Sequence, residues 1–160
     1  MDEAYAAVGR AIIAAQIFET ALVPIFEIHR IHTEPNRLDE TRGYLSAGAF
    51  KMPVANIVKY LSSQGNVAPD LEDRLNEYIQ DRHLLVHRWL HENPVPLAQD
   101  PETMLPLMEH ARKVEREAAD LTRLIVGYVV KYGEPEWAAS NPEDFSAKMA
   151  ALFQSAHRDS

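Results

Sequence analysis

The segment Asp81–Asn93, DRHLLVHRWLHEN, holds Arg82, Arg88, Trp89 and three of the chain's seven histidines, His83, His87 and His91. These residue types carry chemistry. An imidazole titrates near neutrality and can give or take a proton. A guanidinium stays charged, and its planar fork suits carboxylates and phosphates. His83, His87 and His91 are spaced by four, so each stands about 40° around a helix from the last.

Two histidines at i and i+4 can hold a metal. Here no glutamate completes the H-E-x-x-H pattern, and no histidine has a glutamate three residues before it, as di-iron bundles require. His29 and His32 lie beside Arg30 near a helix end. Surface or half-buried histidines therefore outweigh a metal site, and neither metal nor cofactor is expected. Arg82 falls on the apolar stripe of its helix, between Ile79 and Val86, and must find an anion or carbonyl there. Glu19, on an apolar row of the first helix, is the natural partner. A purely structural Arg82–Glu19 pair stands as the plain alternative to a functional one.

The whole chain sets limits on this chemistry. Its 160 residues suit one domain with a sizeable core, and 46% are hydrophobic against 25% charged. Cysteine is absent, which excludes disulfides and thiolate metal sites. The net charge of −8 disfavours an extended nucleic-acid-binding surface and leaves room only for a local one. The N-terminus is acidic where a secretory leader would be basic, and the apolar runs look too short and interrupted to span a bilayer. A cytoplasmic protein without membrane contact is the expectation.

Periodicity supplies the elements that position the segment. Asp2 to about His29 reads as one long helix with two apolar rows. One is Tyr5, Val8, Ile12, Ala15, Leu22 and Phe26; the other is Ala7, Ala11, Ala14, Phe18, Ala21 and Ile25. Pro24 should kink it or open a defect. Asn36 could cap a short helix through Tyr44, and YLSAGAF is helix or loop. MPVANIVKYLSS reads as a helix with Pro53 in its first turn. Leu71 to His91 is a third strong helix, marked by Leu71, Leu75, Tyr78, Ile79, Val86 and Trp89. The fourth runs from Asp100 or Thr103 to Tyr132 on Leu107, Ala111, Val114, Ala118, Leu121, Ile125 and Tyr128. Gly133 ends it. A last helix starts at Asn141, with Phe145, Met149, Leu152 and Phe153 on one face. The expected architecture is all-α: an up-down bundle of four main helices over 1–133, and a C-terminal helical arm over 134–160.

Arg82 to His87, RHLLVH, resembles the R-x4-6-H motif of HEPN-domain proteins, with His83 in the position that is commonly polar. A long first helix carrying AAQIFETAL, the motif late in the third long helix and a fourth packing helix resemble the same family. The resemblance covers roughly residues 3 to 132. It implies a metal-independent ribonuclease, or a relative without the activity, with two motifs sharing one cleft across a homodimer. Arg82, His87 and His83 would be the catalytic set and Glu19 a supporting residue. RNA would be the substrate and an antitoxin or other protein the partner. A base would take the 2′-OH proton, an acid would protonate the leaving 5′-oxygen, and the arginine would stabilise the charged phosphorane. On an ideal helix Arg82 and His87 point about 140° apart, which itself argues for two copies. Lys59, Arg74 and Arg88 could give a local positive rim or be ordinary surface residues, and Trp89 would pack rather than stack on a base. The competing readings are a non-catalytic HEPN-like dimer that binds a protein or nucleotide, and a plain helical interaction module.

Overall fold

The computed structural model describes residues 2–41, 52–65, 67–95, 100–133, 135–144 and 147. The helices are α1 (Asp2–Thr33), α2 (Arg37–Thr41), α3 (Val54–Ser63), α4 (Pro69–His83), α5 (Trp89–Glu92), α6 (Pro101–Gly133) and α7 (Pro135–Ser140). A π-helical turn, Leu84–Arg88, joins α4 to α5. No strand occurs among the described residues, so the chain is all-α.

The core forms where α1 meets α6. Its buried line on α1 is Ala4, Ala7, Ala11, Ala15, Phe18, Leu22 and Phe26, at steps of three and four. Opposite lie Leu107, Ala111, Val114, Ala118 and Leu121. Alanines on both helices bring the backbones close, and large side chains fill the lower half. The two rows expected on α1 thus merge into one line. Tyr5 is exposed, as are Ile13, Ile17 and Ile28 on the outer face. The helix continues through Pro24, which removes one donor without ending it.

Ion pairs give the helix directions. Glu3 pairs with Arg112 and Arg10 with Glu115, so partner numbers climb together along α1 and α6. An antiparallel pair would make them fall. Lys113 reaches Glu77 and Asp81 while Arg74 reaches Glu117, so α4 runs opposite to α6. Val54 lies beside Glu19 and Thr20, and Tyr60 beside Phe26 and Glu34, so α3 follows α1. Three long elements therefore run one way and α4 the other. This departs from the expected up-down alternation: a turn reverses the chain between α3 and α4, but α1 and α3 share a direction.

Local signals explain the ends. Gly65 follows α3 with φ +69°, a left-handed position that suits glycine, and its N–H donates to the Ser62 carbonyl at 2.9 Å. Pro53 precedes α3 rather than lying in its first turn. Asp100 caps α6 by accepting from the Glu102 N–H at 3.0 Å, and Gly133 closes that helix as expected. Asn36 has φ 69°, a left-handed conformation that asparagine tolerates, and it turns the chain into α2. YLSAGAF, the end of the α2 expectation at Tyr44, and most of the last expected helix fall outside the described residues.

Glu3–Ile31 is long and apolar enough to cross a membrane by length and composition, contrary to the expectation from uninterrupted apolar runs. Scattered charges break the runs without lowering the mean hydropathy below that of a spanning segment. A core helix passes the same test, and 39% of the apolar window is buried inside the protein.

Candidate functional site

Arg82 and Glu19 form the expected ion pair, Nη2 to Oε1 at 3.0 Å. Their side chains are 32% and 30% exposed, so the pair is half-buried rather than part of the core. The buried line of this region runs Leu75, Tyr78, Leu85 and Trp89, leaving Arg82 on its flank. Val86, expected on the stripe, is exposed, and Leu85 takes its place.

The pair stands on the wall of a cavity of about 770 Å³. Met52, Pro53 and Val54 give one side of it an apolar lining. Arg82, His83, Arg88 and Glu92 give another side its charge. The volume is that of a small-molecule site. Tyr78 also lines the cavity, one helical turn before Arg82. It is only 1% exposed, and its hydroxyl has no hydrogen-bond partner among the described residues. The ring packs edge-on against Phe18 at 5.0 Å, which sets it beside α1 next to Glu19. Burial raises the phenol pKa, the Glu19 charge raises it further and Arg82 opposes, so the hydroxyl stays protonated. A buried hydroxyl without a partner typically costs about 1–3 kcal/mol.

His83 and His87 lie together, their ring centroids 5.1 Å apart. His83 lines the cavity, whereas His87 is exposed and is not part of its lining. Val86 and Leu90, exposed by 40% and 63%, flank His87. His91 is exposed. The π-turn falls between Arg82 and His87. Such a turn takes an extra residue, so residues five apart approach the same face and the 140° splay of an ideal α-helix narrows. Arg88 closes the turn with φ −121° and ψ −7°, outside the helical region.

Trp89 packs as expected. It is buried in the core and lies 5.4 Å from the His110 ring. His110 in turn places Nε2 3.0 Å from the Asp81 carbonyl, tying α6 to the end of α4. Of the expected positive rim, only Arg88 lines the cavity. Arg74 is held by Glu117 and Arg88 by Glu92, while Lys59 is exposed. Among the described residues no three His, Asp or Glu side chains are grouped to hold a metal.

A second polar centre was not anticipated. Glu27 is 3% exposed, and its carboxylate accepts from Arg37 Nη2 at 2.7 Å and Nε at 3.2 Å. Arg30 reaches Glu27 at 3.4 Å and grips Glu34 through two contacts of 2.7 and 2.8 Å. The Tyr60 hydroxyl donates to the same Glu34 at 2.8 Å. This network ties α1, α2 and α3 together, and its donors are already engaged. Its sequence signal is slight: Glu27 follows the core residue Phe26, and Pro35-Asn36 turns Arg37 back toward it.

Comparison with known proteins adds no assignment, since no protein-family model, curated protein or solved structure matches the chain.

Proposed function

We propose that the chain is a HEPN-like, metal-independent endoribonuclease, acting as a homodimer in the cytoplasm and cleaving RNA by attack of its own 2′-OH. In this reading it works as a toxin or defence effector, with an antitoxin or other partner protein controlling it. One observation carries the reading. The cavity brings Arg82 and His83 together, while His87 stands just outside it on the surface, between exposed Val86 and Leu90. An apolar rim around an exposed histidine is what a second copy would cover, and covering it would set His87 toward a shared cleft. The π-turn within the motif supports the reading further, because such turns concentrate at functional sites. In the dimer His83 and His87 would serve as base and acid, and Arg82 would hold the phosphorane charge. Arg82→Ala/His87→Ala against the wild type tests it directly. Induced expression of the wild type should fragment cellular RNA, and the double variant should leave it intact. Equal RNA integrity in both would overturn the reading.

A second reading has its own support. Arg82 already carries a carboxylate partner, and the net charge of −8 repels polynucleotides. Both features suit a non-catalytic HEPN-like dimer that binds a protein or nucleotide. RNA that stays intact under purified protein, with the dimer present in solution, would favour it.

A further inference from the structure

We propose that Glu19 is the resident occupant of an oxyanion site on Arg82, and that a phosphate group entering the cavity takes over Arg82 while Glu19 transfers to the Tyr78 hydroxyl. The inference rests on the reading of Arg82 as a phosphate clamp. It adds a built-in competitor and a receiver for that competitor.

Three features lead to it. First, the Arg82–Glu19 pair is reachable, with about a third of each side chain open, so an anion can engage it without disturbing the core. Second, a carboxylate that loses its arginine keeps water on its open side and can take another donor on its buried side. Tyr78 provides one. Its ring packs on Phe18, the residue before Glu19, and its hydroxyl is buried, protonated and without a partner among the described residues while Arg82 holds Glu19. An unsatisfied buried donor in the same cavity wall as Glu19 calls for an explanation. An exchange supplies it: the hydroxyl is satisfied in the loaded state. Third, the cavity of about 770 Å³ exceeds a bare phosphate and offers Met52, Pro53 and Val54 to an attached organic body. The ligand is therefore a phosphate ester, free or within a polynucleotide.

A double-mutant cycle tests the exchange by calorimetric titration with three probes: inorganic phosphate, uridine 3′-monophosphate and a 2′-deoxy oligonucleotide. Glu19→Gln should tighten binding on the order of tenfold, because the competing charge is removed. Tyr78→Phe should weaken binding severalfold in the wild type and have no effect in the Glu19→Gln background. Arg82→Ala should abolish binding in every background. The mononucleotide binding more tightly than the oligonucleotide would assign the site to free phosphate esters; the reverse would assign it to a chain. Failure of Glu19→Gln to tighten binding overturns the exchange. An equal loss from Tyr78→Phe in both backgrounds overturns it too, because the hydroxyl would then touch the ligand directly. In the wild type, a ¹³Cζ-tyrosine resonance assigned to Tyr78 should shift on adding phosphate, and a silent resonance is equally fatal. The ribonuclease reading fails separately. Intact RNA with a working cycle removes that reading alone, while cleavage without the cycle removes only the exchange.

Discussion

Arg82 of α4 and Glu19 of α1 meet at 3.0 Å with 32% and 30% of their side chains exposed. Water therefore screens the pair and can rehydrate either charge if the other is lost. The energetic consequence is modest. Arg82→Ala should cost about 1 kcal/mol or less, the range of exposed pairs, and not the ~3–5 kcal/mol of a buried one. A loss of that size lowers the melting temperature by about 2–4 °C in a chain of this length. His87→Ala, at an exposed position, should change it by less still. Thermal melts of the two variants check this, and a collapse of the Arg82 variant would show that the pair holds the fold.

Glu27 is the buried charge on which the fold should depend more. It is 3% exposed and clamped by Arg37 at 2.7 Å. Glu27→Ala removes the buried anion that Arg37, itself 17% exposed, and Arg30 both reach, and leaves Arg37 the longer 3.5 Å pair with the exposed Glu40. The expected cost is about 3–5 kcal/mol in urea unfolding, several times that of Arg82→Ala. A cost below about 1 kcal/mol would mean that water replaces the carboxylate.

The two pairs show what the sequence disclosed. Helix existence was legible, because apolar spacing reports helices directly, and all five fourth-helix residues from Leu107 to Leu121 on the expected stripe are buried. The Arg82–Glu19 partnership was legible too, since a charge on an apolar stripe must find its complement. Its depth was not. Periodicity places Arg82 on a line but cannot tell the line's centre from its flank. The π-turn was also invisible, because LLVHR has no composition that distinguishes it from an α-turn, and so Leu85 is buried where Val86 was expected. Glu27 escaped notice because its partner, Arg37, comes from beyond a turn whose direction depends on the left-handed Asn36. The cavity and the unpaired Tyr78 hydroxyl arise only when α1, α3 and α4 are assembled.

Acid should loosen the end of α1. Arg30 bonded to Glu34 holds that carboxyl below the ordinary value of 4.5, with help from Tyr60 and Arg37. A carboxyl depressed in the folded state adds stability above its unfolded pKa, and that stability is lost as pH falls through the folded value. The melting temperature should therefore drop below about pH 4.5. The drop should be smaller in Glu34→Gln, which has no such proton to gain. Parallel pH profiles for the two proteins would exclude Glu34 as a source.

Light scattering at micromolar concentration should give twice the monomer mass of 18.1 kDa. Leu90, 63% exposed beside His87, sits in the face proposed for the partner copy. Leu90→Glu should yield monomer by repelling the same charge on the second copy. Ile17→Glu lies on the outer face of α1 and should leave the mass unchanged. Dissociation by Ile17→Glu alone would move the interface to α1 and away from the motif. A wild-type monomer would remove the composite site altogether.

The chemistry makes the sharpest prediction. The motif holds an arginine and histidines, and the described residues offer no carboxylate or histidine cluster to bind a cation. If the chain cleaves RNA as proposed, it should do so without added metal, with the ribose 2′-OH as nucleophile. That hydroxyl would attack the adjacent phosphorus, one histidine would take its proton, and a second would protonate the departing 5′-oxygen. The products should be a 2′,3′-cyclic phosphate and a 5′-hydroxyl. Because one histidine must be neutral and the other charged, the rate should trace a bell around neutrality. Rate against pH on a short RNA, with end-group analysis of the fragments, measures both. A substrate with 2′-deoxyribose at the scissile position should be inert, since the nucleophile is gone. Cleavage of that substrate, or activity abolished by a chelator, would rule out this mechanism while leaving the phosphate-binding cycle to be judged on its own titrations.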